Sequence, residues 1–156
     1  NKEELFHAVI EKNLRDYFTE YKEILNEKKS FSDQLVSLVR HYLTFIRDRA
    51  DFAKMSMQEG PLTEKLRLSL SSYVKKAGEQ FVRVVQETYP GMIDEREAYL
   101  RYLSFVSMGE GMTLDMFWEN RELTDEMIDE RARFVAHLFV HGLGQLPQNR
   151  ERKART

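Results

Sequence analysis

Between Phe6 and Leu25 the apolar side chains return at steps of three and four: Phe6, Val9, Ile10, Leu14, Tyr17, Phe18, Tyr21, Ile24 and Leu25. That spacing puts them on one face of an α-helix, and neither glycine nor proline interrupts it from Lys2 to Lys28. So long a stripe has to be covered by other helices. The rest of the chain agrees, because 156 residues hold only seven glycines and three prolines, too few breakers for a fold of short strands and turns. No stretch alternates with period two over a useful length, so strands are not expected. Apolar residues at 42% and charged residues at 32% suit one globular domain.

Composition also excludes whole classes. There is no cysteine, hence no disulfide framework, thiol nucleophile or zinc ribbon, which suits a reducing cytoplasm. No apolar run approaches the roughly 18 residues of a membrane span, and no signal peptide appears. A net charge of −2 does not suit nucleic-acid binding by the domain as a whole. The sequence N-R-E-R-K-A-R-T over 149–156 reads as a basic, solvated tail, leaving 1–148 as the folded domain.

Punctuation divides the domain into about six helices. Asn1 can cap the first, with Glu4 placed for a capping box. Ser30 or Ser32 caps the second, whose Leu35, Leu38, Val39, Tyr42, Phe45 and Ile46 share a face. A short third helix runs through Phe52, Met55 and Met57 to Gly60-Pro61. The fourth carries Leu62, Leu66, Leu70, Tyr73, Ala77, Phe81 and Val84 to about Tyr89. Asp94 and Glu97 form a second capping box for a fifth helix, expected in one piece from Tyr99 to Trp118. Thr124 caps a sixth, which runs through Ile128, Phe134, Val135, Leu138 and Phe139 to Gly142 and Gly144, before Pro147 forbids more.

The opening N-K-E-E-L-F-H-A-V-I-E resembles the junction segment of the tetracycline-repressor (TetR) family of bacterial regulators, at Asn1, Lys2, Glu3, Glu4, Leu5 and Phe6. In that family a helix-turn-helix head precedes a small polar cap, a lysine, acids and a leucine, which open the long helix joining head to body. F-V-A-H-L-F-V-H-G-L near the other end is similar to the last helix of these regulators, and the helix order fits. The resemblance implies an all-α regulatory domain whose residues 1–28 connect to a head not included in this sequence. It implies a homodimer, the last two helices pairing with their copies in a four-helix bundle. It also implies that operator DNA is met only through the head, apart from a phosphate contact by Lys2 at a helix N-terminus.

Within that frame, two constellations stand out. Gly109 and Gly111 lie inside the fifth helix pattern, where each costs about 1 kcal/mol against alanine. Close approach of another helix at a subunit interface, or a kink beside a cavity, would offset that. The sixth helix is apolar over a breadth exceeding one core contact. The expected dimer interface is Tyr102, Val106, Gly109, Thr113, Phe117, Met127, Arg131, Phe134, Leu138 and His141. The second constellation is aromatic and methionine-rich. Tyr42, Phe45, Phe52, Met55, Tyr73, Phe81, Phe105, Met108 and Met112 suit an adaptable apolar pocket, against the plainer reading that they are core. In relatives that pocket lies among the second to fifth helices. Glu110 and Asp115 are acids in the most apolar helix. Facing a cavity, either would favour a lipophilic cation; the plainer reading is a solvated face or a contact to Arg121 or Lys75.

Enzyme chemistry finds no footing. His137 and His141 have a metal-compatible spacing but no third ligand, and Glu4-x-x-His7 lacks the second pair of a di-iron bundle. G-x-S-x-G, P-loop and G-x-G-x-x-G are all missing. Neither metal nor cofactor is expected. The expectation is an effector-sensing domain in which a small apolar or amphipathic ligand alters the tilt of the first helix. A helix of some 26 residues at about 1.5 Å each is a lever of about 40 Å, and the two heads must sit about one DNA turn apart. The alternative is a helical adaptor for a protein partner, with no ligand.

Overall fold

The computed structural model describes residues 1–50 and 61–142, and among them the fold is all-α, without strands. Six helices follow one another: α1 (Lys2–Asn26), α2 (Phe31–Asp48), α3 (Pro61–Thr88), α4 (Glu95–Gly111), α5 (Leu114–Trp118) and α6 (Asp125–His141). The short helix expected around Phe52 and Met55, and the ending around Gly144 and Pro147, lie outside the described residues.

The caps explain most boundaries. Asn1 and Glu4 form the reciprocal capping box, with the Glu4 amide donating to Asn1 Oδ1 at 2.9 Å. Ser30, not Ser32, caps α2 by accepting from the Asp33 amide at 3.1 Å. Asp94 accepts from the Glu97 amide at 2.7 Å, but no reciprocal bond completes that box. The Glu97 carboxylate takes Arg101 one turn on, at 2.6 and 3.0 Å. Thr124 caps α6 through the Met127 amide, and Gly142, at φ 62°, ends it.

The fifth helix of the sequence is broken in two. After Gly111 the amides of Met112 and Thr113 turn back to Gly109 O and Glu110 O at 3.1 and 3.0 Å, a tightened last turn. The Thr113 hydroxyl also donates to Glu110 O at 2.8 Å, and the Arg131 guanidinium takes Met112 O. Three carbonyls at the break, Gly109 O, Glu110 O and Met112 O, are therefore satisfied.

α2 packs most extensively on α6, α1 on α3, and α3 on α4. The core between them is Leu35, Leu43, Phe81, Ala132 and Val135, all fully buried, with Leu38, Val85, Leu123 and Ile128 almost so. Burying each large side chain is worth about 1.5–3 kcal/mol. Buried Gln34 donates to Leu25 O and Glu27 O at 3.1 and 3.0 Å, fixing the corner between α1 and α2. Arg40 and Arg133 share Asp129, and Arg47 reaches Asp125, all across or along the α2–α6 seam. These exposed pairs contribute about 0–1 kcal/mol each and set register more than stability. No described helix is long and apolar enough to cross a membrane.

Candidate ligand-binding cavity

A cavity of about 530 Å³ opens beside the packed core, within the roughly 300–1,000 Å³ range of small-molecule sites. Five helices wall it. α1 gives Leu14, Tyr17, Phe18 and Tyr21; α2 gives Leu38, Val39, Tyr42, Phe45 and Ile46; α3 gives Leu70 and Val74. Tyr102, Phe105, Val106, Gly109 and Glu110 come from α4, Thr113 from the break, and Leu114 and Phe117 from α5. α6 contributes nothing to the wall.

Helical spacing accounts for the convergence. Leu14, Tyr17, Phe18 and Tyr21 recur at three and four along α1, as do Tyr102, Phe105, Val106 and Gly109 along α4. The break at Gly111 then bends the chain so that Leu114 and Phe117 close over the same space. Gly109 itself is buried against the Tyr42 ring, where an added methyl would lie 3.6 Å from Cδ1. A second glycine, Gly78 in α3, lets Tyr102 in: a Cβ there would sit 2.8 Å from the ring.

The aromatic wall is held in place by polar ties. Tyr17 stacks on His41 with centroids 4.4 Å apart, and His41 Nε2 lies 3.0 Å from Tyr17 O. Phe18 stacks on Tyr73 at 5.2 Å, and the Tyr73 hydroxyl donates to Glu11 at 3.1 Å. The Tyr102 hydroxyl donates to Val74 O at 3.0 Å. Thr113, whose hydroxyl donates to Glu110 O, stands beside the Tyr42 phenol. The Tyr21 hydroxyl, buried in this wall, has no partner among the described residues. Leaving such a group unpaired costs about 1–3 kcal/mol.

Burial keeps these phenols neutral. It pushes Tyr42 up to about 12, with the nearby Glu110 charge adding to the effect and the neighbouring Thr113 opposing it. It pushes Tyr102 up to about 12 as well, helped by Tyr99 and Glu110, and drives Tyr17 and Tyr21 well above the ordinary phenol range. Among the described residues Glu110 is the one charged side chain on the wall, and no lysine, arginine or histidine lines it.

The expected pocket residues divide three ways. Tyr42, Phe45 and Phe105 are on the wall. Tyr73 stands behind it, against Phe18; Phe81 is fully buried core, ringed by Phe31, Tyr102, Phe105 and Phe139; Met108 and Met112 pack half-buried on the core. Phe52 and Met55 lie outside the described residues. The α1 contribution was not expected at all. Its signal was the aromatic run Tyr17, Phe18 and Tyr21, indistinguishable from core in a stripe that is apolar throughout.

The expected interface residues also divide. Tyr102, Val106, Gly109, Thr113 and Phe117 line the cavity of the single subunit, with Tyr102 and Thr113 buried there. Met127 and Leu138 are half-buried, while Phe134 and His141 are exposed. α4 turns a different set outward: Tyr99, Leu100 and Leu103. Arg131 grips the Asp115 carboxylate with two bonds of 2.6 and 2.8 Å, pinning α5 to α6, while Arg121 touches Asp115 through its amide, which donates to Asp115 O at 3.4 Å. The side chain of Lys2 lies outside the described residues. Among the described residues no cluster of three metal-ligating side chains forms. No protein-family model matches the chain, and no curated protein matches it in sequence.

Proposed function

We propose that this chain is the effector-sensing and dimerisation domain of a TetR-like transcriptional regulator. One observation carries the reading: α1, the helix that would connect to a DNA-binding head, supplies four cavity residues, Leu14, Tyr17, Phe18 and Tyr21. An occupant therefore touches the lever directly. A ligand that fits better with one tilt of α1 shifts the population toward that tilt, and the spacing of two heads changes with it. Two copies pair through α4 and α6, burying outward apolar side chains such as Tyr99, Leu103 and Phe134.

Those same exposed side chains, with Trp118 at 78% exposure, are what favour the second reading, a helical adaptor that docks a protein and takes no ligand. Sedimentation equilibrium and thermal unfolding separate the two. The regulator reading expects twice the 18.6 kDa chain mass. It also expects a raised unfolding midpoint with at least one of dodecyltrimethylammonium, 1-dodecanol or dodecanoate, each below its micelle concentration. A monomer indifferent to all three would sink it.

A further inference from the structure

The charge pattern of the cavity narrows the occupant. Glu110 stands on the wall beside Tyr42 and Tyr102 and, among the described residues, makes no ion pair and is the sole charge there. An anionic ligand head at this rim would meet the like charge of Glu110, with no lysine, arginine or histidine among the described residues of the wall to offset it. A cationic head meets the opposite. It finds a carboxylate, neutral phenol oxygens, and aromatic ring faces whose quadrupoles attract positive charge. The aliphatic and aromatic remainder of the wall, including Leu38, Val39, Phe105 and Phe117, suits an apolar tail or ring system.

We propose that the cavity binds an amphiphilic organic cation, an ammonium or similar head on an apolar body, with the head at Glu110 and the body among the α1 and α2 aromatics. The proposal rests on the sensing reading above and names its ligand class. Orientation follows from exposure: Glu110 is exposed, at the rim, so the head stays partly hydrated while the body fills the interior. The neutral Tyr21 hydroxyl, with no partner among the described residues, then donates to any ether or carbonyl oxygen the body carries.

Isothermal titration of the full chain with three probes sharing one tail tests this. Dodecyltrimethylammonium should bind about tenfold more tightly than 1-dodecanol, on the strength of cation–π and ion-pair contacts, and dodecanoate should bind weakest. Glu110→Gln, an exposed change that leaves the fold alone, should weaken the cation about fivefold and leave the alcohol untouched, because a rim carboxylate is worth about what a surface ion pair is. If all three bind alike, or dodecanoate binds best, the cation assignment is overturned while ligand sensing stands. If the cation leads but Glu110→Gln changes nothing, the placement of the head is overturned. If none binds, both the ligand class and the sensing reading fall.

Discussion

Two regions of one bundle are built from the same helices and end differently. Around Leu35, Phe81 and Val135 the side chains close into a dense core; around Tyr17, Tyr42 and Phe117 they leave about 530 Å³ unfilled. Apolarity does not separate them, since both walls are apolar. What differs is how freely the side chains can move. Half of the buried core is leucine and valine, short and able to settle against neighbours. The cavity wall carries as many rings as aliphatic side chains, and several rings are tethered: Tyr17 under His41, Phe18 under Tyr73, Tyr102 by Val74 O. A tethered ring cannot fold into the space beside it. The hole is maintained by polar anchors at its rim and by a helix break that carries α5 across one side.

Truncation gives the largest break in this comparison. Phe81→Ala removes a ring enclosed on all sides and should lower the unfolding free energy by about 3–5 kcal/mol. Phe117→Ala takes the same atoms from a half-buried position already facing open space, adds no new enclosed void, and should cost less than about 2 kcal/mol. Urea denaturation of the two variants measures both. Equal losses would mean that the cavity wall is packed like the core and that the two regions do not differ as described.

The contrast also shows what could be read in advance. Element type and order were legible because caps, breakers and three-four spacing are local: Asn1, Ser30, Pro61, Asp94, Thr124 and Gly142 each mark a boundary that the structure keeps. The break after Gly111 was less legible, since a glycine inside an apolar helix equally suits a close contact, a kink or an end. The cavity was legible only in part. Phe45 and Phe81 sit on stripes of the same spacing and chemistry, yet one faces the hole and the other the core. That choice depends on which helix lies opposite, a long-range fact absent from either stripe. Gly78 could have been a clue. A glycine in mid-helix has to be explained by something close, and here it is the Tyr102 ring.

The α5 tether offers a middle-sized test. Asp115 and Arg131 form a two-point pair that is one quarter or less exposed on each side. The Arg131 guanidinium holds the Asp115 carboxyl below its usual range, against some opposing burial. A carboxyl depressed in the folded state stabilises the fold above its unfolded value, near 4, and that contribution disappears as pH falls through the folded value. Asp115→Asn should therefore cost about 1–3 kcal/mol at pH 7. The gap between the variant and the parent should narrow below pH of about 4, because Asp16 and Asp129, also depressed, remain in both proteins and cancel. Melting curves for the pair from pH 7 to pH 3 follow this. A gap constant across the range would mean that the α5 cover is not held by this charge.

The smallest effects concern two glycines, and they should have opposite signs. At Gly109 an added methyl meets Tyr42 Cδ1 at 3.6 Å, ordinary contact, on a helix where alanine is favoured over glycine by up to about 1 kcal/mol. Gly109→Ala should stabilise by about that amount while taking a methyl's volume from the cavity. At Gly78 the same methyl lands 2.8 Å from Tyr102 Cε1, and that ring has Phe81 5.5 Å away and its hydroxyl committed to Val74 O. Although the ring borders the cavity, moving it would break that hydroxyl bond, so an overpacking cost of about 1–3 kcal/mol outweighs the same helical gain, and Gly78→Ala should destabilise by about 1 kcal/mol. Thermal unfolding resolves a difference of this size. Should Gly78→Ala prove as harmless as Gly109→Ala, Tyr102 would be free to move, and the claim that anchored rings hold the cavity open would fail at the residue where it is most specific.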